Sequence, residues 1–165
     1  MTMKMDAEYV ELVSDLPFEA VVEAFEKATG SVEGPGYKHA VEAAKTRAEF
    51  EEIIRKQEST SGFMRFLTLD HGAWMKKFEG GTAKAKMYTI GNPLIARTML
   101  KHEMRAGLNV PVRVIIFQDV DKKTRLGYHL PSSLMAVYGN RDVQKACVAL
   151  DEKLEQLAKT AMGIK

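Results

Sequence analysis

The chain has 165 residues, of which 45% are hydrophobic and 28% are charged, and its formal net charge is only +2. These values are typical of a soluble globular domain, and so small a net charge argues against a nucleic-acid-binding surface. The sequence contains no run of about 18 apolar residues and no apolar N-terminal core of signal-peptide length. We therefore expect no membrane span and a cytoplasmic location.

The length fits a single domain that includes residues 1–165. Its first predicted elements are a strand over residues 8–14, which is rich in β-prone side chains, and a helix that begins near Pro17. The helix carries apolar residues at the i, i+3, i+4, i+7 spacing. It is expected to end at Gly30, because glycine commonly follows the last residue of a helix.

A loop and a charged helical segment come next. Residues 31–36, with the sequence SVEGPG, are interpreted as a loop. A helix is predicted over 48–57, with a capping box at Thr46 and Glu49 and a helical turn before it over 39–44. Few large apolar residues occur in this segment, so we expect it to lie at the periphery of the fold.

The middle of the chain predicts two strands, each followed by a helix. The first strand covers 63–69 and leads into one or two helical turns with the sequence AWMKKF. The second strand covers 84–90. It passes through a three-residue turn directly into a helix that runs from Pro93 to about residue 103.

The C-terminal part predicts an antiparallel hairpin and a long amphipathic helix. The hairpin strands cover 110–117 and 125–130 and are joined by a short polar turn. Asn140 is a good N-cap for the last helix. The apolar stripe of this helix is the clearest in the chain, and it consists of Val143, Ala146, Cys147, Leu150, Leu154, Leu157 and Ala161. Together these elements predict an α+β fold with an antiparallel sheet of about four to five strands and helices packed mainly on one face.

The turn Gly91-Asn92-Pro93 is the first candidate binding site. Glycine tolerates a positive φ, asparagine caps a helix, and proline fits its first position. The first amides of a helix also attract anions, so the turn could hold an anionic group with Arg97 as a second donor. A plain helix cap explains the same residues.

Asp70 and His71 are candidates for acid–base catalysis, because a carboxylate beside a titratable imidazole suits a small hydrolase or lyase. Neighbouring residues in a strand point to opposite faces, however. Asp70 is equally well explained as the N-cap of the following helical turns.

The four histidines and ten methionines of the chain are possible ligands for haem or for a metal ion. His102 and His129 are candidate axial ligands for non-covalent haem, as are methionines, although the methionines also fit the core. The histidines are too scattered for a typical metal site, so no metal centre is predicted. Cys147, the single cysteine, excludes an internal disulfide and is interpreted as a small buried hydrophobic residue.

The block YTIGNPLIARTMLKHEMRAGLNVPVRVIIFQD, followed by a hairpin and LPSSLM, resembles the bacterial and archaeal domain-of-unknown-function 302 family. The Leu69-Asp70-His71 segment also resembles the end of that family's second strand. The resemblance covers the opening strand and helix and residue 61 onward, and it departs at 37–60, which we interpret as a helical insertion. It implies a compact α+β domain that forms a homodimer and has no established activity.

Three functional hypotheses follow. The leading one is a non-enzymatic binding or interaction module, a homodimer that holds an anionic or planar ligand at Gly91-Asn92-Pro93, with Arg97 and His71 at the rim. The second is a hydrolase or lyase that uses His71 with Asp70. The third is haem binding through histidine or methionine.

Overall fold

A computed structural model describes the whole chain, Met1–Lys165. The fold is α+β, with seven α-helices and one six-stranded sheet. The strands are β1 (Tyr9–Ser14), β2 (Gly30–Ser31), β3 (Met64–Asp70), β4 (Ala85–Gly91), β5 (Val112–Gln118) and β6 (Thr124–His129). The α-helices are α1 (Phe18–Ala28), α2 (Pro35–Ala43), α3 (Arg47–Gln57), α4 (His71–Phe78), α5 (Pro93–Leu100), α6 (Pro131–Met135) and α7 (Arg141–Met162). Short 3-10 helices cover Met104–Leu108 and Ala136–Tyr138.

The sheet is mixed, with the strand order β1-β6-β5-β4-β3-β2. Four of its five strand pairs are antiparallel, and β2 pairs with β3 in parallel. The predicted antiparallel sheet of four to five strands therefore needs correction in strand number and in this one pairing. The β5–β6 hairpin is confirmed.

The additional strand is β2, which lies at the start of the segment interpreted as a loop. It has only two residues, too few for a side-chain alternation to be visible in the sequence. Gly30 is required here by close packing, since a Cβ atom on this residue would lie 1.7 Å from the carbonyl oxygen of Gln57. The end of α3 thus packs directly against the backbone of β2.

One face of the sheet and the helices on it form the main hydrophobic core. Val112, Val114 and Ile116 are buried at alternate positions of β5 and point to this core. Buried residues of α1, α5, α6 and α7 complete the same cluster. The predicted apolar stripe of α7 is confirmed apart from Ala146, which is only partly buried.

Helices α2 and α3 lie at the periphery, as the sequence predicts. The cluster of buried residues beside them is small and consists of Val32, Ile54 and Met64, of which Ile54 alone belongs to these helices. The capping box is confirmed, because Thr46 Oγ1 accepts a hydrogen bond from the Glu49 amide at 3.2 Å. Helix α2 begins at Pro35, earlier than the predicted helical turn.

The other face of the sheet is more open. Leu69, Met87 and Ile115 form a row across β3, β4 and β5 on this face, since they are paired in register. Leu67 and Leu69 keep 43% and 39% of their surface exposed. No helix is both long and apolar enough to cross a membrane.

Candidate functional site

The turn from β4 into α5 has the predicted geometry. β4 ends at Gly91, Asn92 is the N-cap and Pro93 is the first residue of the helix. Asn92 Oδ1 accepts a hydrogen bond from the Leu94 amide at 2.8 Å. Gly91 does not have a positive φ, and a Cβ atom there would lie 3.2 Å from Pro111 Cβ, so the chain is tightly packed at this residue.

The first amides of α5 are all engaged inside the protein. Pro93 has no amide hydrogen, and the amides of Ile95 and Ala96 both donate to the Asn92 carbonyl oxygen, at 3.0 and 2.8 Å. With the Leu94 amide bound to Asn92 Oδ1, the helix start offers no free donor to an anion. An anionic group at this turn would therefore depend on Arg97.

An apolar cavity of about 430 Å³ lies beside this turn. It is enclosed by α5, by Phe50 of α3 and by the adjoining ends of β4 and β5. Most of its lining is hydrophobic, and Arg97 and Asn92 supply its only polar side chains. The apolar residues of the lining are Phe50, Phe63, Phe66, Ile90, Pro93, Ile95, Ala96, Met99, Leu100, Val110, Pro111, Val112 and Leu150.

Asn92 also ties α5 to the segment that follows α3. Its Nδ2 donates to Glu58 Oε2 at 2.6 Å and to the Gly62 carbonyl oxygen at 2.8 Å. The residue is only 6% exposed, so these hydrogen bonds satisfy an amide that would otherwise be buried without partners. Asn92 is therefore a structural link between two walls of the cavity as well as a helix cap.

Arg97 lies at the rim of the cavity and is paired with α3. Its Nη1 is 2.7 Å from Glu51 Oε1, which also accepts a hydrogen bond from Arg47 Nε at 2.8 Å. These two guanidinium groups, which donate hydrogen bonds to the carboxylate, lower the pKa of Glu51 to about 2. The charge of Arg97 is thus balanced within the protein.

His71 does not lie at this turn, contrary to the prediction. β3 and β4 are antiparallel, so Met64 is opposite Gly91 while Asp70 is opposite Lys86. Six residues of strand separate the two ends, a distance of roughly 20 Å at the usual rise per residue. The structure therefore does not bring His71 to the rim beside Arg97.

Asp70 and His71 are each engaged at the start of α4. Asp70 Oδ1 accepts a hydrogen bond from the Ala73 amide at 2.7 Å, which confirms that it is an N-cap. His71 Nδ1 accepts a hydrogen bond from Trp74 Nε1 at 3.2 Å. No side-chain hydrogen bond joins the two residues, so the structure shows no catalytic pair here.

None of the four histidines lines the apolar cavity. His102 Nδ1 lies 4.0 Å from Asp142 Oδ2, and His129 lies at the end of β6 beside the ring of Tyr9. The chain has no group of three or more His, Cys, Asp or Glu side chains placed to hold a metal ion. The candidate haem ligands His102 and His129 are thus not positioned on this cavity.

A group of three sulfur atoms behind the cavity was not anticipated from the sequence. The thiol Sγ of Cys147 lies 3.7 Å from Met99 Sδ and 3.5 Å from Met135 Sδ. Burial, followed by the negative charge of Asp151, raises the pKa of the thiol to about 11. The apolar stripe placed Cys147 in the core, but no sequence signal could pair it with residues of two other helices.

Comparisons with known proteins identify similar solved structures and a matching family. No protein with a curated description matches the chain. The fold is similar to the crystal structure of an uncharacterized conserved protein DUF302 from Bacillus stearothermophilus, with a TM-score of 0.65 and 11% sequence identity. The alignment covers 93% of this chain and 97% of that chain, and at such low identity it shows the fold alone.

The family comparison agrees with the resemblance found in the sequence. The model described as "Domain of unknown function DUF302" matches residues 37–161. The match begins within α2 and includes α3. The interpretation of residues 37–60 as an insertion stays a prediction. Since the match covers well over half of the sequence, the chain belongs to the DUF302 family.

Proposed function

We propose that this domain is a binding module for a small, planar and largely apolar molecule, which occupies the cavity beside the Gly91-Asn92-Pro93 turn. The observation that carries the proposal is the cavity itself. Its volume of about 430 Å³ falls within the range of small-molecule sites, and its few polar groups are at defined positions, as such sites require.

The lining favours a flat ligand. Phe50, Phe63 and Phe66 contribute rings from α3 and from the β3 region, and aromatic rings stack well against other planar groups. Each Å² of apolar surface that a ligand removes from water contributes about 25 cal/mol. A planar hydrocarbon skeleton would therefore gain most of its affinity from contact area.

The electrostatics limit the ligand to at most one anionic group. The amides at the start of α5 are engaged, and the Asn92 side chain already has three hydrogen bonds. Arg97 is the remaining charged donor, and it must move away from Glu51 to bind a ligand. An anionic group would thus compete with the Glu51 carboxylate for the same guanidinium.

The test uses 8-anilinonaphthalene-1-sulfonate, an aromatic anion with a planar naphthalene ring, whose fluorescence rises in apolar sites. We expect saturable binding to the wild-type domain and its loss in Ala96→Phe, because Ala96 lines the cavity and the new ring would fill it. Thr98→Phe is the matched control, since Thr98 is exposed on the same helix and does not line this cavity. The control should bind the probe like the wild type.

Two further variants test Arg97 separately from the cavity. Arg97→Ala should weaken probe binding several-fold, whereas Glu51→Gln should strengthen it by releasing the guanidinium. Equal binding by wild type and Ala96→Phe would overturn the proposal. Equal binding by wild type and Arg97→Ala would keep the apolar site but remove Arg97 from it.

We propose in addition that the domain forms a homodimer through the open face of the sheet. Leu69, Met87 and Ile115 give this face an apolar centre. Arg125, which lies on the same face, is paired within the chain, since it contacts Glu11 at 2.6 Å and Asp119 at 2.5 Å. An apolar surface of this kind suits contact with a second copy of itself.

The dimer is tested by sedimentation velocity at several protein concentrations. We expect the wild type to sediment as a dimer and Leu69→Lys as a monomer. Val148→Lys is the control, because Val148 is an exposed apolar residue of α7, away from the sheet face. A wild type that stays monomeric at every concentration would contradict the dimer.

The remaining sequence hypotheses keep the status of predictions. No contact in the structure favours a hydrolase or lyase at Asp70 and His71, or haem binding through His102 or His129. The cytoplasmic location is likewise a prediction from the sequence.

A further inference from the structure

Three sulfur atoms from three different helices meet at one point of the core. Cys147 is on α7, Met99 is on α5, and Met135 is the last residue of α6. Their residues are 0%, 0% and 1% exposed. The Cys147 Sγ atom lies 3.7 Å from Met99 Sδ and 3.5 Å from Met135 Sδ, so the thiol is in contact with both thioethers.

We propose that Cys147, Met99 and Met135 form a three-coordinate site for a soft monovalent metal ion, with Cu(I) as the ion of choice. Thiolate and thioether sulfurs are soft ligands that select Cu(I) over hard cations such as Mg²⁺ or Ca²⁺. This assignment is independent of the small-molecule function proposed above.

The two separations from Cys147 are close to those that trigonal coordination requires. With metal–sulfur bonds of about 2.3 Å, as found for zinc and thiolate, three sulfurs in one plane around an ion lie about 4 Å apart. The two observed separations are a few tenths of an ångström shorter than this value. Methionine side chains are unbranched and adaptable, so rotation about their bonds can provide the difference.

The charge balance selects a monovalent ion. On binding, the Cys147 S–H bond breaks, its proton passes to solvent, and a thiolate–Cu bond forms without any change of oxidation state. The thiolate and Cu(I) together are neutral, whereas a divalent ion would leave a net positive charge in an apolar region. The thioethers of Met99 and Met135 add ligands without adding charge.

The cavity supplies an entry path. Met99 lines the 430 Å³ cavity beside α5 and also contacts the Cys147 thiol, whereas Cys147 and Met135 do not line the cavity. An ion that enters the cavity therefore meets the Met99 sulfur before it reaches the other two ligands. Rotation of this one side chain would carry the ion inward.

The experiment titrates the reduced protein with Cu(I) under anaerobic conditions, in competition with the coloured chelator bicinchoninate. We expect the wild type to withdraw one equivalent of Cu(I). Met99→Leu and Met135→Leu should each weaken binding by about tenfold or more, since each removes one ligand while nearly preserving core volume. Cys147→Ala should abolish it.

Matched controls separate ligand loss from core damage. Met162→Leu and Met64→Leu change buried methionines outside the sulfur group, and both should bind Cu(I) like the wild type. X-ray absorption of the loaded protein should show three sulfur neighbours at about 2.3 Å. Circular dichroism of each variant should show that the helices persist.

Two results would overturn the proposal. One is a wild type that withdraws no Cu(I) from the chelator. The other is a site that is lost in Cys147→Ala but retained in both methionine variants, which would show binding by a single thiol alone.

Discussion

The two walls of the cavity differ in how firmly they are held. The inner wall belongs to α5 and α7, whose apolar residues join a cluster of 24 buried side chains that also includes α1 and β5. The outer wall belongs to α3, and it rests on a cluster of three. Because apolar burial supplies most of the stabilisation of a fold, the outer wall is expected to open far more readily than the inner one.

Two polar links join the walls. The Asn92 side chain bonds to Glu58 and the Gly62 carbonyl, and Arg97 pairs with Glu51. We infer that access of a ligand depends on local motion of α3, while α5 and α7 keep the cavity's shape.

The largest effect is expected from the inner wall's core. Phe25 of α1 is fully buried, and its ring lies 4.8 Å from that of Tyr88. Phe25→Ala should lower the free energy of unfolding by about 3–5 kcal/mol, because it leaves a large cavity. Urea denaturation measures the change. Phe78→Ala, at a residue that is 70% exposed, is the control and should stay within about 0.5 kcal/mol of the wild type.

A smaller and local effect is expected in the outer wall. Ile54 of α3 is fully buried in the three-residue cluster, and Ile54→Ala should cost about 2–3 kcal/mol, near the lower end for such truncations. Hydrogen exchange should show faster exchange of the α3 amides with little change in α7. Equal loss of protection in α7 would show that the two walls unfold as one unit.

The link between the walls is tested at Asn92. Asn92→Ala removes the cap of α5 and leaves the Gly62 carbonyl without its partner, so we expect a loss of about 2 kcal/mol. Asn140→Ala is the matched control, because Asn140 caps α7 by accepting from the Asp142 and Val143 amides. The control should cost only about 1 kcal/mol. Equal losses in both variants would mean that Asn92 acts as a cap alone.

Local chemistry made one part of this structure predictable from sequence. The caps at Thr46, Asp70, Asn92 and Asn140 were identified correctly, because a cap depends on a few adjacent residues. The amphipathic pattern of α7 also predicts the helix, because it too depends on residues that are close together in the sequence. Family membership was also recognisable, since the Gly91-Asn92-Pro93 block is a contiguous stretch.

Features that depend on distant contacts were not predictable. Strand β2 pairs in parallel with β3 through only two residues, a pairing that no local pattern encodes. The separation of His71 from Gly91 follows from the β3–β4 register, and the sulfur group at Cys147 follows from the packing of three helices. In each case the sequence gives the residue types, but it does not give the residues that they contact in space.

The smallest effect, and the sharpest test of the outer link, concerns the pH dependence that Glu51 confers. The hydrogen bonds from Arg47 and Arg97 lower its pKa in the folded protein from 4.5 to about 2. A carboxyl group whose pKa is lower in the folded state stabilises the fold above pH 4.5, and this contribution is lost as the pH falls from 4.5 towards 2. Glu51→Gln should therefore destabilise the domain slightly near neutral pH and make no difference near pH 2.

Urea denaturation of wild type and Glu51→Gln across this pH range measures the difference. Glu52→Gln is the control, because Glu52 pairs with Lys56 on α3 alone and does not contact α5. Hydrogen exchange of α3 should respond to Glu51→Gln and not to Glu52→Gln, since only the first substitution breaks a link between the walls. If the exchange of the α3 amides changes equally in both variants, the pair of Arg97 and Glu51 stabilises helix α3 itself. The cavity would then be closed by apolar contacts alone.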